Sequence, residues 1–309
     1  MRILITGGTG LIGRPLVNAL TGDGHEVIVL TRDPKRAAAV LPAAARAHPW
    51  DARTADGWGH LADGADAIIN LAGESIAGTG TIPSRWTAER RRRIHESRVY
   101  AGLAVVDAVE AAAVKPKVLI QASAVGYYGQ RRDDVILTED SPPGRDFLGE
   151  TCVAWEQSTA PVEELGVRRV IIRTGLVLAR EGGPLPLLIL QHRLFAGGRL
   201  GSGRQYWPWI HLHDEVAAIR FLLSNDKAVG PFNLTAPHPV TAAEFSRVLG
   251  RVMSRPSLLP TPAFAMRLVL GDIATLVLDG QRAIPKKLLD LGFKFRFGEL
   301  FYALRDLVK

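Results

Sequence analysis

Through the first half of the chain, short apolar runs rich in β-branched residues alternate with stretches of helical period. Ile3 to Thr6, Glu26 to Leu30, Ala67 to Leu71, Lys117 to Ala122 and Arg169 to Arg173 have strand length. Glu26-Val27-Ile28-Val29-Leu30 shows no polar alternation, as expected of a strand covered on both faces of a parallel sheet. Leu11 to Leu20 and Thr87 to about Ala113 read as helices between such strands. This βαβ order predicts an α/β fold with a doubly wound parallel sheet of Rossmann type.

After Leu178 the pattern changes. Glu181-Gly182-Gly183-Pro184 predicts a loop, Gly197-Gly198 and Gly201-Ser202-Gly203 a second glycine-rich stretch, and the chain from Thr241 onward is mostly helical. Pro256, Pro260 and Pro262 mark a turn-rich connection. The expected division is a dinucleotide-binding domain over 1–178 and a smaller, mostly helical substrate-side domain over 179–309. A segment near 210–236, with the strand Pro231 to Leu234, returns to the first domain.

Composition narrows the partners. The 309 residues are 47% hydrophobic and 22% charged, an ordinary globular balance. The single cysteine, Cys152, excludes an internal disulfide and a cysteine-rich zinc site, so no metal is expected and a reducing, cytoplasmic setting is. The apolar start breaks at Gly7-Gly8, short of a signal-peptide core, and no run approaches the roughly 20 apolar residues of a membrane span. A net charge of +7 favours anionic ligands. The densest basic run, Arg90-Arg91-Arg92-Arg93, lacks any nucleic-acid recognition motif and is expected to be a solvated helix face.

The sharpest chemical signal is Thr6-Gly7-Gly8-Thr9-Gly10-Leu11-Ile12-Gly13, placed between the first strand and the first helix. Gly7 serves a tight turn, Gly10 lets backbone approach a pyrophosphate, and Gly13 permits close helix–strand packing. The phosphates then meet amides at the positive end of the helix dipole. At the end of the second strand stand Thr31 and Arg32, where an NAD-selective site usually places a carboxylate. The planar donor fork of Arg32, aided by the Thr31 hydroxyl, suits a ribose 2′-phosphate. NADP(H) is therefore the expected cofactor, with Asp33 assigned to capping the next helix.

The spacing TGxxGxxG resembles the opening of the extended short-chain dehydrogenase/reductase superfamily. Asn70-Leu71-Ala72-Gly73-Glu74, Arg85-Trp86-Thr87, Ser97-Arg98, Pro208-Trp209-Ile210-His211 and Gly280-Gln281-Arg282 narrow the resemblance to an epimerase-family group of NADP-dependent oxidoreductases or sugar-nucleotide epimerase relatives. The likeness runs from Met1 to about Val308. It implies that Leu71, Ala72 and Gly73 lie beside the cofactor's riboses. It also implies that Arg98 points toward the cofactor with Arg93 nearby, and that Val177 offers backbone to the carboxamide. It further implies a homodimer through the helix near Ala101 to Ala113 and the helix near Val153.

Active members of that superfamily use a serine and a Tyr-xxx-Lys pair. Here the aligned positions hold Leu148 and Cys152, neither able to replace them. The serine falls at Ala124, one position from Ser123. Ser123, Tyr127, Tyr128, Glu74 and His211 remain as candidates for acid/base work. The expected function is an NADP(H)-dependent oxidoreductase or epimerase acting on a small polar, sugar-like substrate. Gly201 to Gln205, Trp207 and Trp209 are expected in its pocket, with Arg204 holding an anionic group. The alternative is a catalytically weak or inactive NADP(H)-binding sensor or scaffold.

Overall fold

The computed structural model describes residues 1–78, 84–131 and 133–308. Seven strands form one sheet: β1 (Arg2–Thr6), β2 (Glu26–Thr31), β3 (Ala45–Pro49), β4 (Ala67–Asn70), β5 (Val118–Ala124), β6 (Arg168–Thr174) and β7 (Gly230–Leu234). Their spatial order is β3-β2-β1-β4-β5-β6-β7, with every pair parallel. The order reverses between β1 and β4, the switch point where an open α/β sheet leaves a crevice beyond its carboxyl ends. β3, with its polar Arg46 and His48, gave no apolar signature in the sequence and is an edge strand.

The unalternating strands do feed two cores. Ile3, Ile5, Val27, Val29 and Ile69 face one layer, where α1 (Gly13–Gly22) and α6 (Leu212–Ser224) contribute Leu16, Val17, Ile219 and Leu222. Leu4, Ile28, Leu30, Ile68 and Leu119 face the other, covered by α3 (Ala88–Ala111) through Ala101, Ala104, Val105, Ala108 and Val109. Each such Val, Leu or Ile contributes about 1.5–3 kcal/mol by leaving water. On α3, Ala101, Ala104, Val105, Ala108 and Val109 are thus internal packing. Thr87 starts α3 by accepting from the amide of Arg90, and Asp33 caps α2 (Pro34–Val40) through Arg36.

The remaining helices are α4 (Phe147–Gln157), α5 (Leu185–Arg193), α7 (Ala242–Met253), α8 (Ala263–Leu270), α9 (Thr275–Leu278), α10 (Lys286–Asp290) and α11 (Leu300–Val308). α5, α7 and α11 enclose a third core around Trp209, Phe245 and Leu304. This part is bound to the sheet by two buried carboxylates. Glu139 accepts from the amides of Asn233 (3.1 Å) and Lys287 (3.2 Å), and Asp214 from those of Arg296 (3.0 Å) and Phe297 (2.8 Å). Asp214 is therefore not the cap of α6. His211 is, its Nδ1 accepting from the amide of His213 at 3.0 Å. No helix among the described residues is long and apolar enough to cross a membrane.

Candidate active site

The glycine-rich turn leaves β1 and enters α1 as its spacing requires. Gly7 has φ +68°, and a Cβ there would sit 2.6 Å from the carbonyl oxygen of Leu71, so the turn and the segment after β4 are in backbone contact. The amides of Leu11, Ile12 and Gly13 have no acceptor among the described residues, while Gly10 and Arg14 close the turn internally. Thr9 and Gly10 are exposed beside them. Thr6 anchors the facing segment: its hydroxyl accepts from the amide of Ala72 (3.1 Å) and donates to Asn70 (2.6 Å). Arg32 stands exposed at the end of β2, beside Thr31, with no hydrogen-bond partner among the described residues.

Arg98 reaches this region from α3. A Cβ at Gly73 would lie 3.2 Å from its Cζ, so guanidinium and backbone are in contact. Its Nη1 donates to the carbonyls of Glu74 (3.0 Å) and Ile94 (2.8 Å), and its plane covers the Trp155 ring at 4.9 Å. Burial draws the guanidinium below its ordinary range, opposed by the fields of Cys152 and Glu74. The Glu74 carboxylate itself is held by Arg90 (3.4 Å) and Arg93 (3.6 Å). With Arg91 paired to Asp272 and Arg92 to Glu96, the whole arginine run has carboxylate partners within the chain.

A cavity of about 210 Å³ opens beyond the carboxyl ends of β5 and β6. Ala124, Val125, Gly126, Thr174, Gly175 and Leu176 form its sheet side, and Ile94, Arg98, Leu148, Thr151, Cys152 and Trp155 line it from α3 and α4. Trp207, Pro208, Thr275, Leu276, Asp279, Gly280 and Gln281 close it from the C-terminal part. Most of this wall is apolar. The Cys152 thiol is pushed up to about 12 by burial, partly offset by Arg98, so it is no nucleophile at neutral pH.

None of the five acid/base candidates lines this cavity. Ser123 donates to Glu156 at 2.7 Å. Tyr127 lies against the Arg173 guanidinium, 3.4 Å from ring centroid to Cζ. Tyr128 donates to Asn233 at 2.7 Å, and burial pushes its phenol up to about 12. Glu74 is consumed by arginines, and His211 stacks on Phe297 away from the cavity, with burial drawing its imidazole down. Each performs packing or capping work, which sequence spacing could not distinguish from exposure to substrate.

Other expectations divide. Trp207 lines the cavity, but Trp209 is fully buried in the third core, its indole donating to His238. Arg204 lies instead in a separate polar cleft with Arg199, Ser202, Asp133 and Asp134. Val177 is buried in the short strand Leu176–Leu178, paired in parallel with Trp209–His211. Sequence reasoning gave no role to Gln130, Thr151, Thr275, Asp279 or Gln281. The only signal was Gly280-Gln281-Arg282, noted as a family feature without a task.

A model of the NAD dependent epimerase/dehydratase family matches residues 3–235, and a domain of unknown function, DUF1731, matches 261–307. The epimerase family protein SDR39U1 homolog, chloroplastic, of Arabidopsis thaliana is 40% identical over 311 residues, covering all of this chain and 87% of the relative. Epimerase family protein YfhF of Bacillus subtilis is 38% identical over 317 residues, covering all of this chain and 98% of the relative. Human epimerase family protein SDR39U1 (isoform 2), solved with NADPH, superposes with a TM-score of 0.88 at 32% identity over 99% of both chains.

Proposed function

As the chain belongs to the NAD dependent epimerase/dehydratase family, we propose that it is an NADP(H)-dependent oxidoreductase whose small-molecule substrate occupies the cavity beyond β5 and β6. The observation that carries this reading is the row of amides at Leu11, Ile12 and Gly13 without acceptors among the described residues, lying where α1 begins, the end of a helix that favours anions. The residues present fit the cofactor. Those amides would hold its pyrophosphate, Arg32 and Thr31 its 2′-phosphate, and Leu71 to Gly73 its riboses. NADPH solved with the human relative supports the same choice.

When bound, the reduced nicotinamide supplies a hydride. The chain's own residues supply the setting: Leu148, Trp155, Trp207 and Leu276 exclude water, and Arg98 places positive charge at the cavity wall. Residues 179–309, apart from the returning segment near 210–236, act as the substrate side. A reducing, cytoplasmic setting goes with the single buried Cys152.

A second reading has its own observation. With Leu148 and Cys152 in the cavity wall and all five acid/base candidates outside it, a cofactor-binding sensor or scaffold accounts for the same architecture. Fluorescence titration with NADPH and NADH tests the first requirement. Selective NADPH binding is expected; equal affinities would remove the 2′-phosphate assignment, and no binding of either would remove the proposal. Cofactor binding without turnover of any carbonyl substrate would favour the sensor.

A further inference from the structure

We infer that the cavity is built for a compact, largely apolar molecule bearing one anionic oxygen group, a carboxylate or its equivalent, which docks on Arg98. This rests on the reading that the cavity is the substrate site, and it narrows the substrate class.

Arg98 has donors to spare. Nη1 serves two backbone carbonyls, and neither Nε nor Nη2 has an acceptor among the described residues. It also has no carboxylate partner among them, because Glu74 is committed to Arg90 and Arg93. The guanidinium packs over an indole and against Gly73, and its unused donor edge remains accessible to an acceptor. Its planar fork matches a carboxylate better than any neutral acceptor.

Trp155 and Trp207 line the cavity with ring surface and add to its apolar wall. The rest of the wall defines the ligand's body. Ile76, Ile94, Val125, Leu148, Leu176 and Leu276 make much of this wall apolar, with polar side chains confined to Gln130, Thr151, Thr174, Tyr206, Thr275, Asp279 and Gln281. The volume of about 210 Å³ falls below the ~300 Å³ at which drug-sized ligands begin to be enclosed. A nucleotide sugar exceeds that size. Asp279 also lines the cavity, from the C-terminal segment, and a carboxylate there disfavours a second anionic group on the ligand.

The test uses fluorine NMR on the full chain with 4-fluorocinnamate, 4-fluorocinnamyl alcohol and UDP-glucose, each with and without NADPH. The carboxylate is expected to bind at least tenfold tighter than the alcohol. Arg98→Gln should erase that difference while leaving alcohol binding within about threefold, and Arg98→Lys should restore part of it. Thermal melts of both variants establish that they fold. Equal binding of acid and alcohol, no binding of the acid at millimolar concentration, or tighter binding of UDP-glucose would overturn the inference. Loss of the preference in Asp279→Asn but not in Arg98→Gln would overturn it as well. Cofactor binding is followed separately by NADPH fluorescence. If NADPH fails to bind while the Arg98-dependent preference persists, the oxidoreductase proposal falls alone. NADPH binding without the preference removes only the present inference.

Discussion

Arg173 and Glu156 form a bidentate ion pair beneath the sheet's carboxyl end, with Nε 2.8 Å from Oε1 and Nη2 2.9 Å from Oε2. Both side chains are buried, and Ser123 donates to the same Oε1 at 2.7 Å. Removing one partner strands a buried charge, which costs about 3–5 kcal/mol. Glu156→Gln and Arg173→Met are each expected to lose stability in that range. The double variant Glu156→Met/Arg173→Met should recover a substantial part of the loss. Urea denaturation of the three variants measures this. Additive losses in the double variant would show that the pair is not acting as a unit.

Arg32 makes no contact that stability depends on, so its substitution isolates recognition. Arg32→Glu should leave the melting temperature within a degree or two of wild type. Its NADPH affinity should fall by roughly 10- to 100-fold, the value of about 1.5–3 kcal/mol for a charge-assisted hydrogen bond. NADH affinity should change little. Parallel calorimetric titrations with both nucleotides check the expectation, and an equal loss for both would contradict it.

Gly7 couples turn geometry to cofactor binding. Gly7→Ala must adopt φ +68° and place its Cβ 2.6 Å from the Leu71 carbonyl oxygen. A strained backbone of this kind costs about 1–3 kcal/mol, and the displaced turn would no longer present the amides of Leu11 to Gly13 together. The expected outcome is a lower melting temperature with NADPH binding lost. Retention of full NADPH affinity would place the phosphates elsewhere.

Glu215 gives a pH signature. Burial pushes its carboxyl up to about 8, against the lowering effect of the Thr174 hydroxyl, which donates to it at 2.8 Å. Between the ordinary carboxyl range near 4.5 and about 8, the folded chain keeps a proton that the unfolded chain has lost. Stability must therefore fall as pH rises through this window, with a slope of up to about 1.4 kcal/mol per pH unit. Glu215→Gln removes that contribution, so the stability difference between variant and wild type should grow from pH 5 to pH 8 and then level off. A constant difference across that range would mean the side chain is ionised throughout.

What the sequence made legible follows from locality. Strands β1, β2, β4, β5 and β6 could be read because each carries a short run of buried apolar, mostly β-branched residues. The phosphate turn could be read because its chemistry is confined to residues 6–13. The cavity could not, because its wall combines Arg98, Cys152, Leu176, Trp207 and Gln281, drawn from segments whose meeting depends on tertiary packing. Position alone was also a poor guide to role. Ser123 and Ala124 are adjacent, yet strand alternation sends Ser123 to Glu156 and leaves Ala124 in the cavity wall. His211 looked like a titrating group beside a capping aspartate, and the structure gives the cap to the histidine.

The carboxylates of Glu139 and Asp214 have a consequence for how the chain comes apart. Between them they accept from three amides of the C-terminal segment, those of Lys287, Arg296 and Phe297. Pulling that segment away would leave Glu139 with the Asn233 amide alone and strip Asp214 of both its backbone donors. Residues 261–307 match a family model of their own, yet three of their amides are tied to carboxylates of the first part, so a single melting transition is expected, with the cavity that both parts line lost in it.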